Sequence, residues 1–207
     1  MSLLGCAGTA NTEVTTTTTS TSTTTSTTSS TTSTSTTTST TTTVPVPTYV
    51  FPFAMRNVSY GTDHHDYAAV DVFGCKALII APTSGTIAQV NTVDKWRGSG
   101  NNPAYRGGHF VSLIGNDGVR YYFAHLADVE VVAGQVVTTG TPLGVMGETG
   151  NAANSACHTH LGISWPCPDK EWQVRRGKIW PQTYLDAWRN GEQLSPVNEI
   201  AQALAAE

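Results

Sequence analysis

The stretch His109-Phe110-Val111-Ser112-Leu113-Ile114-Gly115-Asn116-Asp117-Gly118-Val119-Arg120-Tyr121-Tyr122-Phe123-Ala124-His125 reads as a β-hairpin. Two runs rich in β-branched and aromatic residues enclose an Asp-Gly pair, and glycine supplies the positive φ that a tight reversal demands. Working outward, short apolar or alternating runs broken by Gly and Pro recur, as in antiparallel strands joined by tight turns. Strands are expected at 69–73, 77–80, 85–90, 109–114, 119–125, 142–146 and 158–164. The C-terminal part changes character. Pro181 to Arg189 ends at Asn190-Gly191 like a capped helix, and Ser195-Pro196 opens a second short one. The expected fold class is mainly β, an antiparallel sheet with short C-terminal helices. Trp172, Trp180 and Trp188 are expected to fill core or cover an edge.

From Thr15 to Thr43 every residue is Thr or Ser. Such a segment has no apolar surface to offset the entropy of ordering and reads as a disordered linker. As a flexible coil it would span on the order of 30 Å. The expected organisation is an N-terminal segment 1–14, a linker 15–48, a globular domain 49–193 and a helical tail 194–207. The formal net charge is −4, and no Lys/Arg cluster is long enough to hold a phosphate backbone, so nucleic acid is not an expected partner. No apolar run approaches the roughly 20 residues of a membrane-spanning helix. Leu3-Leu4-Gly5-Cys6 resembles the box at which bacterial lipoproteins receive lipid, and a low-complexity tether follows it at once. The positive start and apolar stretch of a full signal do not precede Cys6, so residues 1–14 read as a signal remnant with Cys6 as the candidate lipid attachment point.

All six histidines, His64, His65, His109, His125, His158 and His160, lie beyond the linker. In His158-Thr159-His160, residues two apart on a strand point to one face, so both imidazoles enter one groove. His64-His65-Asp66-Tyr67-Ala68-Ala69-Val70-Asp71 offers imidazole and carboxylate, both suitable for Zn²⁺. Tyr121-Tyr122-Phe123-Ala124-His125 ends a strand with a third histidine site.

From about Ser59 to Ser164 the chain resembles the lysostaphin-type, LytM-like zinc endopeptidases. The order of motifs carries the resemblance: an early His and Asp, Ala81-Pro82-Thr83-Ser84-Gly85-Thr86-Ile87, Gly107-Gly108-His109-Phe110-Val111, Tyr122-Phe123-Ala124-His125-Leu126, Gly147-Glu148-Thr149-Gly150-Asn151 and His158-Thr159-His160. The resemblance implies a LytM/lysostaphin-type β-sheet domain with a groove. It also implies one Zn²⁺ held by an early His, Asp71 and His160, with His125 and His158 as the catalytic pair. The family's first His lies four residues before the Asp, where this chain has Tyr67. A two-residue bulge bringing in His65 preserves the strand face shared with Asp71, so His65 is the expected ligand and His64 the alternative.

Two His and one Asp leave zinc an open position, the mark of a catalytic site. Zinc acidifies water and polarises a carbonyl, while proton handling falls to His125 and His158, since no His-Glu-x-x-His helix is visible. The groove is expected to be bordered by Gly147 to Gly150 and by the loop from Val93 to Arg106 with Trp96 and Tyr105. The resemblance implies peptidoglycan crossbridge or stem peptides as substrate and a monomeric, extracytoplasmic enzyme of the cell envelope, secreted or anchored by lipid to the membrane. The alternative is a non-catalytic domain of this fold that binds and activates another wall hydrolase; the completeness of the ligand set favours catalysis.

With Cys6 lipidated, Cys75, Cys157 and Cys167 remain, an odd number for an oxidising compartment. Cys157 and Cys167 bracket the 158–164 strand and form the expected disulfide, with Cys75 to Cys157 next and three reduced thiols as the remaining reading. No Cys-x-x-Cys pair is present, which disfavours a zinc ribbon.

Overall fold

The computed structural model describes residues 46–207 apart from Arg56 and Ser99; the 1–14 segment, Cys6 and the linker as far as residue 45 lie outside the described residues. In chain order the strands are β1 Phe53–Ala54, β2 Ser59–Tyr60, β3 Val70–Phe73, β4 Leu78–Ile80, β5 Gly85–Asn91, β6 Phe110–Gly115, β7 Arg120–Ala124, β8 Leu126–Val129, β9 Val136–Val137, β10 Pro142–Met146 and β11 His158–Ser164. The helices are α1 Trp172–Arg175, α2 Gln182–Arg189 and α3 Val197–Ala205. A four-stranded sheet runs β1-β4-β10-β8, a seven-stranded sheet runs β2-β3-β11-β7-β6-β5-β9, and the pairs are antiparallel.

The hairpin between β6 and β7 forms where the sequence placed it. The Gly115 amide donates to the Val119 carbonyl at 2.9 Å, and Gly118 sits at φ 78°. Asp117 locks the turn: one carboxylate oxygen accepts the Val119 amide, and the other accepts the hydroxyls of Tyr121 at 2.6 Å and Tyr49 at 2.9 Å. A buried tyrosine hydroxyl needs such a partner.

Period-2 alternation then sorts core from groove. On β7, Tyr121 and Phe123 join the main core, whereas Tyr122 and Ala124 form a separate cluster with Phe110 on the opposite face. Leu161 of β11 pairs with Val70 and Phe123, building the core side. One step along, His160 pairs with Asp71 on β3 and Ala124 on β7, and Ala124 pairs with Phe110, building the groove side. The two sheets meet through contacts such as Phe53 against Phe123, ring centroids 6.4 Å apart. Trp188 is buried and stacks on Tyr49 at 5.5 Å, Trp180 is exposed, and Trp172 lines the groove rather than filling the core.

β7 stops at Ala124. His125 follows with φ 65° and the chain passes from the large sheet into β8 of the small one. The expected strand through His125 therefore ends one residue early, because a non-glycine residue at positive φ breaks the extended run.

The cysteine expectation is corrected. The bond joins Cys75 to Cys157, Cα atoms 5.1 Å apart, and Cys167 lies outside it, its thiol directed at the Glu171 carbonyl. Cys157 and Cys167 stand at opposite ends of β11, and a seven-residue strand extends about 23 Å, far beyond the reach of a disulfide. Phe73 pairs with His158, so the residues just past one and just before the other are neighbours. With a sequence separation of 82, closing this loop is worth about 4 kcal/mol on the chain-entropy account. Cys75→Ser is expected to lower the thermal unfolding midpoint clearly, with reductant adding nothing further, whereas Cys167→Ser stays reductant-sensitive. Identical melts for wild type and Cys75→Ser would exclude a stabilising bond.

Candidate metal centre and active site

The centre grows from one cross-strand pair. Asp71 and His160 face each other on β3 and β11, and His160 Nδ1 lies 3.0 Å from Asp71 Oδ1. The other ring nitrogen, Nε2, is 2.8 Å from the Arg176 carbonyl. A carbonyl only accepts, so Nε2 carries the proton, and in the neutral ring Nδ1 turns a lone pair toward the carboxylate. Two acceptors at 3.0 Å are compatible only with a proton or a cation between them. Burial pushes the Asp71 carboxyl up, but a His160 ring that takes up a proton donates Nδ1–H to it, and this hydrogen bond with the positive charge of His160, His158 and His64 outweighs burial and holds the group at about 2. Asp71 is thus an anion at neutral pH.

His64, not His65, completes the cluster. Potential ligand atoms of His64, Asp71 and His160 all lie within 4.8 Å of one another. His64 Nε2 is 3.7 Å from Asp71 Oδ1, and its ring lies 5.0 Å from that of His160. Its Nδ1 is buried without a hydrogen-bond partner. Burial, then the charge of His160, lowers its pKa against the opposing pull of Asp71. His65 is exposed at the groove edge with its ring packed edge-on to that of His64 at 5.6 Å. The parity argument for His65 fails because β3 begins only at Val70 and residues 65–68 are turn and bend. Side chains alternate only along extended chain.

His125 and His158 flank the cluster, ring centroids 4.9 Å apart. Each is oriented by a backbone carbonyl. His125 Nδ1 donates to Thr149 at 2.9 Å, and His158 Nδ1 to Ala156 at 2.7 Å. In the neutral form each ring therefore presents Nε2 as an acceptor; that of His158 lies 4.0 Å from Asp71 Oδ2. Burial, then the charges of His160 and His158, depresses His125 to about 3, so it is neutral at physiological pH. His109 stands apart, 3.4 Å from the Ala127 carbonyl, and its backbone amide donates to the Thr149 hydroxyl oxygen.

The groove has a volume of about 370 Å³. The 93–106 loop contributes Pro103, Ala104 and Arg106 but not Trp96 or Tyr105, and Asn151, Ala152 and Ser155 replace the expected 147–150 turn. The Tyr105 side chain instead takes Lys95 over its ring at 5.7 Å, and Trp96 takes Arg106 at 6.0 Å. Sequence reasoning missed the opposite wall, formed by Tyr67, Trp172, Arg175 and Arg176. Burial lifts the Tyr67 hydroxyl to about 12 against the charge of Arg176. The adjacent Arg175-Arg176 pair beside a tryptophan was the available signal.

The sequence profile of Peptidase family M23 matches residues 66–173, beginning just after His64 and His65. No curated protein matches the chain. Among solved structures, the peptidase lysostaphin from Staphylococcus simulans is 23% identical with a TM-score of 0.50, over 72% of this chain and 59% of that one. A putative peptidase M23 from Pseudomonas aeruginosa is 19% identical with a TM-score of 0.50, over 69% of this chain and 54% of that one. The catalytic domain of lysostaphin alone is 24% identical with a TM-score of 0.47, over 63% of this chain and 92% of that one. This chain thus spans a little more than half of the first two. More than half of its own length carries the family's pattern, and its paired antiparallel sheets have the architecture of those structures: the chain belongs to Peptidase family M23, with the lysostaphin-type, LytM-like β fold.

Proposed function

We propose that this chain is a zinc-dependent endopeptidase of the cell envelope that hydrolyses peptide bonds in bacterial peptidoglycan, in a crossbridge or a stem peptide. His64, Asp71 and His160 hold the metal, and His125 and His158 handle protons. The supporting observation is the convergence of His64, Asp71 and His160, whose potential ligand atoms lie within 4.8 Å of one another, with His160 Nδ1 3.0 Å from Asp71 Oδ1. Two imidazoles and one carboxylate suit zinc and leave room for water or substrate. Bound there, zinc would polarise the scissile carbonyl and bring the pKa of water to about 7.

The chain's own residues supply the rest. Their Nδ1–H groups are engaged, so His125 and His158 begin as acceptors at Nε2, able to take a proton from attacking water. Having taken it, either ring becomes a donor at the same atom and can return the proton to the leaving amine. Proposed tethering through a lipid on Cys6 and the Thr/Ser linker would keep a domain with this activity close to its polymer. Nothing in the ligand set is missing, which favours catalysis over a purely binding role.

His160 owes its orientation to Gly162. A Cβ there would stand 2.2 Å from the Arg176 carbonyl, so only glycine lets that carbonyl reach the His160 Nε2–H. Such support is typically worth 10- to 100-fold in metal affinity.

Wild type is expected to contain about one zinc per chain, by metal analysis of purified protein. His64→Ala, Asp71→Ala and His160→Ala should lose it, while His65→Ala keeps it; full zinc in His64→Ala with loss in His65→Ala would reverse the assignment. His125→Ala is expected to keep its zinc and fold yet lose about 10²- to 10⁴-fold in muropeptide release, the usual range for a general acid or base. Gly162→Ala should bind zinc at least about tenfold more weakly, measured by competition with a chromogenic chelator.

A further inference from the structure

We infer that Arg175 and Arg176 form a carboxylate-binding subsite of the groove, so that the peptide substrate carries an anionic residue beside the scissile bond. As a statement about substrate, this rests on the peptidase reading above. As a statement about binding, it stands alone.

Arg175 is 7% exposed, and among the described residues neither arginine forms an ion pair with a carboxylate. Arg175 donates to the Gln89 amide oxygen at 2.9 Å, and its guanidinium lies over the rings of Phe110 at 4.3 Å and Tyr122 at 5.1 Å. Arg176 is held between Tyr67 at 3.8 Å and Trp172 at 5.3 Å. The Nε atoms of both are buried without a partner. Aromatic faces fix a guanidinium in place and offset part of its desolvation, and the Tyr122 hydroxyl oxygen accepts a hydrogen bond from Arg175, yet none of these neighbours supplies a negative charge. A buried charge normally has a counter-charge. Among the described residues neither guanidinium has such a counter-charge, and both groups line the groove that would take the substrate.

The wider electrostatics agree. Three arginines, Arg106, Arg175 and Arg176, line the groove against two aspartates, in a chain of formal net charge −4. A positive cleft in a negative protein selects an anionic ligand. The planar fork of a guanidinium matches a carboxylate in two parallel hydrogen bonds, which a lysine would not do. The subsite also adjoins the proposed centre. The Tyr67 ring under Arg176 lies 5.7 Å from the His160 ring, so a carboxylate held there would sit within a residue or so of the reacting bond.

The test walks a single glutamate through the positions of an acetyl-pentaglycine amide, each peptide compared with its glutamine counterpart. Binding to the full chain as purified is measured by calorimetry and cleavage by chromatography. At one position the glutamate peptide is expected to bind at least about tenfold tighter than its glutamine twin, with the difference shrinking as salt is raised. Arg176→Gln and Arg175→Gln should each reduce that preference at unchanged zinc content, and Arg176→Lys should restore it only in part. Equal affinity for every pair in wild type overturns the subsite, as does a preference that survives both glutamine variants. Should Arg175→Gln fail to fold, the Arg176 variants decide. Glutamate preference without cleavage of any peptide would sink the peptidase reading and leave the subsite standing; cleavage with no preference would do the reverse.

Discussion

Antiparallel register sets two residues on neighbouring strands face to face, and in this chain one of those facing pairs is Asp71 with His160. Such a pair is not freely adjustable. Shifting β3 against β11 by one residue would turn Asp71 toward the core and carry Val70 into the groove, exchanging a buried valine for a buried carboxylate. The apolar row Val70, Leu161, Phe123 and Val111 on the other face therefore fixes the geometry of the polar row. Hydrophobic packing on one side of the large sheet positions chemistry on the other. The Cys75–Cys157 bond clamps the same register at the open end of the two strands.

A carboxylate and several imidazoles gathered in a half-buried groove create an electrostatic problem that the chain solves by orientation. His125, His158 and His160 each donate one ring N–H to a main-chain carbonyl, at Thr149, Ala156 and Arg176. Two of these carbonyls belong to the connection between β10 and β11 and the third follows α1, yet each does the same thing to its ring: in the neutral imidazole it fixes the tautomer and leaves the opposite nitrogen with its lone pair free. With neutral rings the resulting convergence of lone pairs around Asp71 is unfavourable in isolation, and the proposed cation would turn it into an attractive arrangement. Backbone carbonyls hold these rings more firmly than long side chains would, because a carbonyl in a packed turn has little freedom to move away.

Much of this was legible in the residues, and what was not has physical causes. Alternation gave the long strands to within a residue or two, since Val111, Leu113, Tyr121, Phe123, Leu161 and Ile163 record which face is buried. Two-residue strands such as β1, β2 and β9 leave too few positions for a period to register. His125 ends an apolar run and so reads as strand, although its positive φ makes it the corner between two sheets. The choice of His65 extended strand parity into a segment that turns, and there His64 reaches the cluster. The pairing of Cys157 was misjudged for a related reason. Residues bracketing a strand are close in sequence and far apart in space, whereas Cys75 is remote in sequence and adjacent across the ladder.

Arg176 shows why the groove wall and the proposed metal centre are best understood together. Its carbonyl, admitted over β11 by the missing Cβ of Gly162, orients His160, while its guanidinium rests on Tyr67 beside His64. One residue thus connects the donor set with the surface a substrate would touch. If a carboxylate drew that guanidinium toward itself, the displacement would act on a side chain whose own backbone supports a ligand, so binding and ligand geometry would not be independent. The carbonyl, however, is fixed by the tight passage of Gly177 against the Ala68 carbonyl, which would be 2.1 Å from any added Cβ. That packing anchors the main chain at the residue whose guanidinium lines the groove. On the proposed reading, a substrate carboxylate would engage Arg176 while His160 keeps its aim, a separation that a longer or looser connection would lose.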